Sequence, residues 1–541
     1  MNKLKKTTTT IYSKPNAVNE NTSTLVVKTK RAPYCYLLAL ASGFLMALSF
    51  QVTALFWLSW LALIPLFWLL SEDGFSRKQT LLLITIYAAG FHLPLNSYIL
   101  ALHPLDFLGF NNVASAALLA LGWLMIGLIQ ISWHLLMAIV YYAVRRRTAG
   151  AWLARFPLLL LVMLWLMMEW GQAFGQFGYT WGRLAIAQAT VPALIQSAAL
   201  GGSLLVSALI LLVNALLTLA LKTGRWRWLV VAVLIFAVNL GGGVLRLALN
   251  QDYNAYPTFK AAVVQGTLPS LYRSDAALFA ESRRQYREQT LAAAAAGAEL
   301  IIWPETALPG TLRETMPADA AFYRELAAAA DSKLLIGAFW QAADGSRYNA
   351  MINISAEQSD FSFAKRRLVP FGEYMPFEGI LAYILPGLTG HLSSLGIYSG
   401  SGYFVAADVP IGGLICYDSI FPQLARSSVA DGAQVLVLST NDSWFWGTQA
   451  MRQHYQQAQL RAVEQNRWLL RSANAGYSGI IDNLGRSLAT IAPDGSGHIT
   501  MAVPLITSNS LYFYLRDWPA YLGFIYLLAV FIQSRRNKRR S

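Results

Sequence analysis

Cysteine is nearly absent. The 541 residues contain two, Cys35 and Cys416, so no disulfide-stapled scaffold is available. Histidine is also scarce. The six, at positions 92, 103, 134, 391, 454 and 498, show neither metal-ligand spacing nor a triad pattern, so no metal and no cofactor is expected. Charge is thin as well, at 13 % of residues, which is too little for an ordinary soluble enzyme of this length. The net charge of +14 invites a nucleic-acid reading, but its distribution argues against one. Residues 252–516 hold 19 Lys/Arg and 22 Asp/Glu, a net of −3, and the remainder carries +17. The basic residues lie in tails and short loops beside apolar runs, where they set membrane orientation. No nucleic-acid partner is expected.

Apolar sequence is what the chain has in excess: 55 % of residues, nearly unbroken from 33 to about 248 and again over 518–533. A helical span needs ~20 such residues. The pattern predicts eight spans: two within 33–70, then 80–101, 113–143, 156–171, 193–221, 228–248 and 518–533. Basic residues alternate between the loops. Lys28, Lys30 and Arg31 precede the first span, Arg77 and Lys78 follow the second, and Arg145, Arg146, Arg147 and Arg155 follow the fourth. Lys222, Arg225 and Arg227 follow the sixth, and the C-terminal tail carries Arg535, Arg536, Lys538, Arg539 and Arg540. Both termini are therefore expected on the cytoplasmic side, with the globular part on the far side. The expected domains are a disordered basic tail (1–32), seven spans (33–250), a globular domain (251–515), an eighth span (516–534) and a second basic tail (535–541).

Within the globular part strands and helices alternate. Strands are expected at 259–266, 299–305, 333–339, 350–355, 412–415, 434–440, 479–483 and 487–492. Helices are expected at 274–297, 318–331 and 449–465, with another between 415 and 434. This predicts an α/β fold with a covered sheet. Glu305 ends one strand, Lys365 opens an LVPFGE turn, and Cys416 ends a strand and opens a helix. Functional groups of such sheets gather at strand carboxyl ends. A thiol at a helix start has its thiolate favoured, a carboxylate can take its proton, and an ammonium can hold an oxyanion. Taken singly, each residue has a plainer reading: a small buried hydrophobe, a surface carboxylate and a solvated KRR face.

Together the contexts WPE (Glu305), AKRRLVPFGEY (Lys365) and LICYDSIFP (Cys416) resemble the nitrilase, or carbon–nitrogen hydrolase, superfamily. LVPFGEYMP, STNDSWFWG, RSANAGYSGIID and EWGQAFGQFGYTWG look like its membrane-embedded branch, the apolipoprotein N-acyltransferases. The resemblance implies a four-layer αββα sandwich on a bundle of eight transmembrane helices. It implies Cys416 as nucleophile, Glu305 as general base and Lys365 as the oxyanion-stabilising cation. Glu373 matches a second glutamate that orients the lysine and substrate, and Asn349 an asparagine near the site. Tyr417, Asp418 and Trp444 are further candidates for substrate binding or support. Asp418 stands where relatives often carry Glu, and WFWG has one aromatic more than WFG.

The implied reaction moves a fatty acyl chain from a phospholipid, through a Cys416 thioester, to the N-terminal amine of an S-diacylglyceryl-cysteine on an apolipoprotein. The implied setting is a bacterial inner membrane with a periplasmic catalytic domain, and a monomer is expected. Tyr374, Met375, Phe377, Tyr383 and Leu395 mark the apolar stretch 374–403 as a lid dipping into lipid. Trp444, Phe445 and Trp446 suit the same interface. Glu169 and Arg183 order headgroups, dock the domain or form a purely structural pair. The competing functions are a membrane-tethered nitrilase-type amidase and a non-catalytic lipid-binding scaffold.

Overall fold

The structure is a computed structural model that describes residues 20–106, 109–147, 152, 156–249, 253–267, 276–307, 310–377, 379, 383 and 395–540. Among the described residues six helical segments are long and apolar enough to cross a membrane: Pro33–Gln51, Thr53–Ser71, Arg77–Leu102, Asn112–Arg146, Ala198–Thr223 and Trp226–Ala248. The other two expected spans are helical but do not reach that measure. Pro157–Gly171 has 15 residues, and Trp518–Arg540 ends in a run of arginine and lysine. These two pack against each other, and Leu160, Leu161, Leu164 and Trp165 of the shorter one are buried in protein rather than offered to lipid. Among the described residues the eight expected spans thus correspond to six full-length apolar segments and two lesser helices. The first helix begins at Glu20, not at 33, because neither glycine nor proline interrupts the chain between Glu20 and Pro33. The part of the expected disordered tail before residue 20 lies outside the described residues.

The second segment is broken into a 3-10 turn, Thr53–Trp60, and an α-helix, Ile64–Ser71. A break inside a bilayer needs its backbone groups satisfied by protein. Asn214 supplies them: its Oδ1 accepts from Leu63 N at 3.0 Å and its Nδ2 donates to Ser59 O at 2.9 Å. The first and third segments touch at Gly43 and Gly90. A Cβ at Gly43 would strike Tyr87 O, and one at Gly90 would lie 2.9 Å from Leu40 O.

The globular part contains thirteen strands among the described residues: β1 (Thr258–Gln265), β2 (Leu300–Ile302), β3 (Thr311–Arg313), β4 (Lys333–Gln341), β5 (Arg347–Ile354), β6 (Ser359–Ala364), β7 (Tyr403–Ala406), β8 (Val409–Ile415), β9 (Val435–Asn441), β10 (Leu469–Asn474), β11 (Ser478–Ile481), β12 (Ser487–Ile491) and β13 (Gly497–Pro504). One sheet has the order β13-β1-β2-β4-β5-β6, with β3 also beside β4, and the other has β12-β11-β10-β9-β8-β7. In each the centre is parallel (β1-β2-β4 and β8-β9-β10) and the margins antiparallel. The side-chain period of two sorts residues into layers. Ala261 and Val263 of β1 meet Val435 and Val437 of β9 in the core between the sheets. Ala262 and Val264 face the helices Ala276–Ala295 and Ala321–Ala330, whereas Leu436 and Leu438 face Pro422–Ala430 and Ala450–Gln465. The result is the αββα sandwich.

Candidate active site

Each expected functional residue stands just past a strand of the central sheets. Glu305 lies three residues beyond β2, Lys365 follows β6, and Cys416 follows β8. Glu305 and Lys365 are 5 % and 2 % exposed. Burying either alone would be costly, so they are paired. Lys365 Nζ lies 3.0 Å from Glu305 Oε1 and 2.8 Å from Glu373 Oε1. Asn349 at the middle of β5 bridges the same carboxylates, with Nδ2 2.6 Å from Glu305 Oε1 and 3.0 Å from Glu373 Oε1. The other oxygens are held by backbone: Asn441 N donates to Glu305 Oε2 at 2.9 Å and Val369 N to Glu373 Oε2 at 2.8 Å. Although burial alone disfavours the charged lysine, Glu305, Glu373 and Cys416 around it hold its pKa well above the usual value. The KRR run is therefore not a solvated face.

Cys416 is partly exposed and has φ 46°, the left-handed region that costs a non-glycine residue about 1–2 kcal/mol. This sharp turn lifts the sulfur off the end of β8. Glu305, Lys365 and Asp442 act on it electrostatically. Burial, then the Glu305 charge, pushes the thiol well above its usual pKa, and Lys365 and Thr440 offset only part of this. The expectation of a thiolate favoured by a helix start is corrected. Cys416 opens a five-residue 3-10 turn, Cys416–Ile420, and the α-helix begins only at Pro422.

The remaining candidates separate. Asp418 is buried beneath the lysine segment, where its carboxylate accepts from Arg367 N at 2.8 Å and Ile415 N at 3.2 Å. Burial raises its pKa to about 6 despite Arg366 and Lys365. Tyr417 points its hydroxyl down to Gly178 O at 2.8 Å, so its phenol is an anchor to the membrane part. Trp444, 37 % exposed, lies in the 3-10 turn Ser443–Phe445, which packs on the turn Ser97–Leu102 of the bundle. Of its neighbours, Phe445 lies inside, edge-on to Tyr98 at 5.2 Å, whereas Trp446 is half exposed. Half of the expected lid, 378, 380–382 and 384–394, lies outside the described residues. Of its described part, Phe377 and Tyr383 are exposed, and Phe377 stacks at 5.9 Å on Phe177 of the membrane part.

Glu169 and Arg183 belong to a buried ionic junction, not a headgroup site. Arg183 Nη1 donates to Ser203 Oγ (2.8 Å) and Nη2 to Glu169 O (2.8 Å). Ser203 N in turn donates to Glu464 Oε1 (2.8 Å), and Glu464 pairs with Arg461 at 2.8 Å on helix Ala450–Gln465 of the sandwich. The loop between Glu169 and Arg183 also grips the turn that carries Cys416 and the helices beside it. Thr180 Oγ1 donates to Ile420 O at 2.6 Å, Gln423 Nε2 to Ala173 O at 2.9 Å, and Trp181 Nε1 to Gln453 Oε1 at 2.6 Å.

Thr440, Asn441, Asp442, His454 and Arg471 were not singled out by the sequence reading. STNDSWFWG carries the first three, but the sequence marks only its aromatic residues. The spacing of the six histidines does not mark His454, whose partners Asp442 and Ser419 are brought to it by the fold.

A buried carboxylate–lysine–thiol cluster at the strand ends of an αββα sandwich, fixed to apolar helices, defines a membrane-embedded member of the carbon–nitrogen hydrolase class. Residues 260–510 match the family described as Carbon-nitrogen hydrolase, and residues 42–216 match the Apolipoprotein N-acyltransferase N-terminal domain. A protein from Gloeobacter violaceus named apolipoprotein N-acyltransferase is 31 % identical over 515 residues, 93 % of this chain and 96 % of its own. One of the same name from Geobacter metallireducens is 30 % identical, covering 83 % and 85 %. A solved carbon–nitrogen hydrolase from Helicobacter pylori G27 is 16 % identical over 49 % of this chain and 94 % of its own, at a TM-score of 0.36. The chain belongs to the apolipoprotein N-acyltransferase family, and with it to the carbon–nitrogen hydrolase superfamily.

Proposed function

We propose that the protein transfers a fatty acyl chain from a membrane phospholipid to the N-terminal amine of an S-diacylglyceryl-cysteine on lipoproteins, by way of a thioester on Cys416. The observation that carries this reading is the gathering of Glu305, Lys365 and Cys416 in one cluster that rests on the membrane helices. Names borne by relatives that match most of this chain support the same reading.

In the first half-reaction Glu305 takes the thiol proton as Cys416 Sγ attacks the donor's ester carbonyl. Lys365 and the backbone N–H of Tyr417 hold the oxyanion, and each such donor contributes about 2.7–4 kcal/mol. The ester C–O bond breaks, the proton returns from Glu305 to the leaving alkoxide, and a lysophospholipid departs. In the second half-reaction Glu305 takes a proton from the acceptor amine as it attacks the thioester. The C–S bond then breaks and the thiol recovers its proton. Glu373 and Asn349 hold the lysine and the base in place.

The orientation that follows from the basic loops puts both termini in the cytoplasm and residues 251–515 in the periplasm, with 33–250 and 516–534 in the bilayer. The exposed Phe377, Tyr383, Trp444 and Trp446 suit a site that meets substrates at the lipid surface. The test is to incubate the purified protein with phospholipid labelled in its acyl chain and to analyse the Cys416 peptide by mass spectrometry. An acyl group on that peptide, removed by hydroxylamine and absent from C416A, is expected. A persistently unlabelled peptide would exclude the thioester route.

A further inference from the structure

Behind the nucleophile runs a chain of buried polar side chains that the catalytic steps above do not use. Arg471 Nη2 donates to Asp442 Oδ2 at 2.7 Å, and Thr440 Oγ1 donates to Asp442 Oδ1 at 3.0 Å. The same Oδ1 lies 2.9 Å from His454 Nδ1. His454 Nε2 lies 2.9 Å from Ser419 Oγ and 3.2 Å from the backbone carbonyl oxygen of Cys416. Ser419 Oγ donates to that carbonyl at 2.7 Å. Ser419, His454, Asp442 and Arg471 are at most 1 % exposed. Trp181 of the membrane part and Phe445 close over the imidazole, with ring centres 5.5 and 6.4 Å away.

Serine, histidine and aspartate in this order form the relay of a serine hydrolase. Here it cannot serve that purpose, because Ser419 is sealed from any substrate and its hydroxyl is already committed to Cys416 O. What the relay reaches is a peptide group. The carbonyl of Cys416 and the N–H of Tyr417 belong to one planar, trans unit, in which C=O and N–H point in opposite directions. Fixing the oxygen from behind therefore aims the hydrogen forward, toward the face where an oxyanion would form. Hydrogen bonds to the oxygen also polarise the unit and make its N–H a stronger donor. Such support matters because Cys416 holds a left-handed conformation, φ 46°, that an unsupported turn would leave.

We propose that His454, braced by Asp442 and Arg471, is a positioning residue for acyl transfer. Together with Ser419 it locks the Cys416–Tyr417 peptide so that the Tyr417 N–H stabilises the oxyanion. The inference rests on the acyl-transfer reading. Its test compares H454N, H454Q and S419A in the full-length protein. Glutamine can place a nitrogen donor near the Nε2 position, and asparagine cannot.

Two rates are measured for each: Cys416 acylation by labelled phospholipid, and Cys416 alkylation by iodoacetamide, which forms no oxyanion. H454N is expected to lower the acylation rate about 100-fold, the range for loss of one oxyanion donor, with the KM for phospholipid unchanged. H454Q should recover at least tenfold of that loss, and alkylation should stay within about twofold of wild type in both. Should H454N not reach the membrane, S419A carries the test with the same expected split. Equal falls in acylation and alkylation would overturn the proposal, because they would mean general damage to the turn. Acylation at the wild-type rate in H454N and S419A would overturn it too, while leaving the acyl-transfer reading intact. No thioester on the wild type would overturn both.

Discussion

At the scale of single residues, the site separates two properties of the sulfur: how readily it ionises and how well it transfers acyl groups. The Glu305 charge raises the thiol pKa, and the same carboxylate takes the proton in the proposed chemistry. E305Q removes the charge, so it should lower the thiol pKa and raise the iodoacetamide alkylation rate at about pH 8.5, near the ordinary thiol pKa. The same variant should lose acylation by about a thousandfold or more. If alkylation and acylation fall together, Glu305 is not the source of the raised pKa. Asp418 makes a second case. Its pKa is raised to about 6 by burial, against about 3.9 in an unfolded chain. Between those values the folded state binds more protons than the unfolded one, so this group's contribution to stability falls as pH rises through the window. Above pH 6 the burial penalty is complete; below pH 4 it is gone. D418N should flatten the part of the melting-temperature profile between pH 4 and 6 that belongs to this group, and difference melts against wild type would show it.

At the scale of elements, what holds the site is the junction between the helix Ala450–Gln465 and the membrane helices. Glu169, Arg183, Arg461 and Glu464 are all buried, and removing one charge from such a set leaves another unmatched. R183A should therefore cost about 3–5 kcal/mol of stability, read as a lower melting temperature in detergent. R183M, which fills more of the space, should be no better if charge is the issue. A change within about 1 kcal/mol would show that the junction is not supported by its ions. At this scale the sequence was partly legible. The period-two runs of β1, β4 and β9 stood out because they are continuous, β-branched and apolar. Strands β6 (SDFSFA), β10 (LLRSAN) and β13 (GHITMAVP) did not, since serine, asparagine, arginine and histidine interrupt them. Their place is set by neighbours: β13 is held along its full length by β1, and the asparagine of β10 lies beside Asn441 of β9. Glu305, Lys365 and Cys416 were legible because each stands at a strand end in a marked local context. His454 was not, because its meaning depends on Asp442 and Ser419, twelve and thirty-five residues away. The short helix Pro157–Gly171 shows where composition alone stops short. Its composition matches a span, but its length and burial match a helix enclosed by others.

At the scale of the molecule, charge distribution and architecture make a joint statement about sidedness. A fluorescent reporter that matures only in the cytoplasm should glow when fused at either terminus. An alkaline phosphatase reporter, active only outside, should be active when inserted in the surface turn at Asp344–Gly345, between β4 and β5. The opposite pattern would invert the orientation argued from the loops. The bundle is also part of the enzyme rather than an anchor for it. Thr180, Trp181 and the carbonyls of Ala173 and Gly178 hold the segment from Tyr417 to Gln453.

These contacts hang the reactive sulfur from the helices beneath it instead of floating it on a tether. Its height along the bilayer normal becomes a constant of the fold. In the proposed reaction a donor lipid is then expected to be chosen by how deep its scissile carbonyl rides, and one whose ester sits above or below that plane should be a poor donor however suitable its chain.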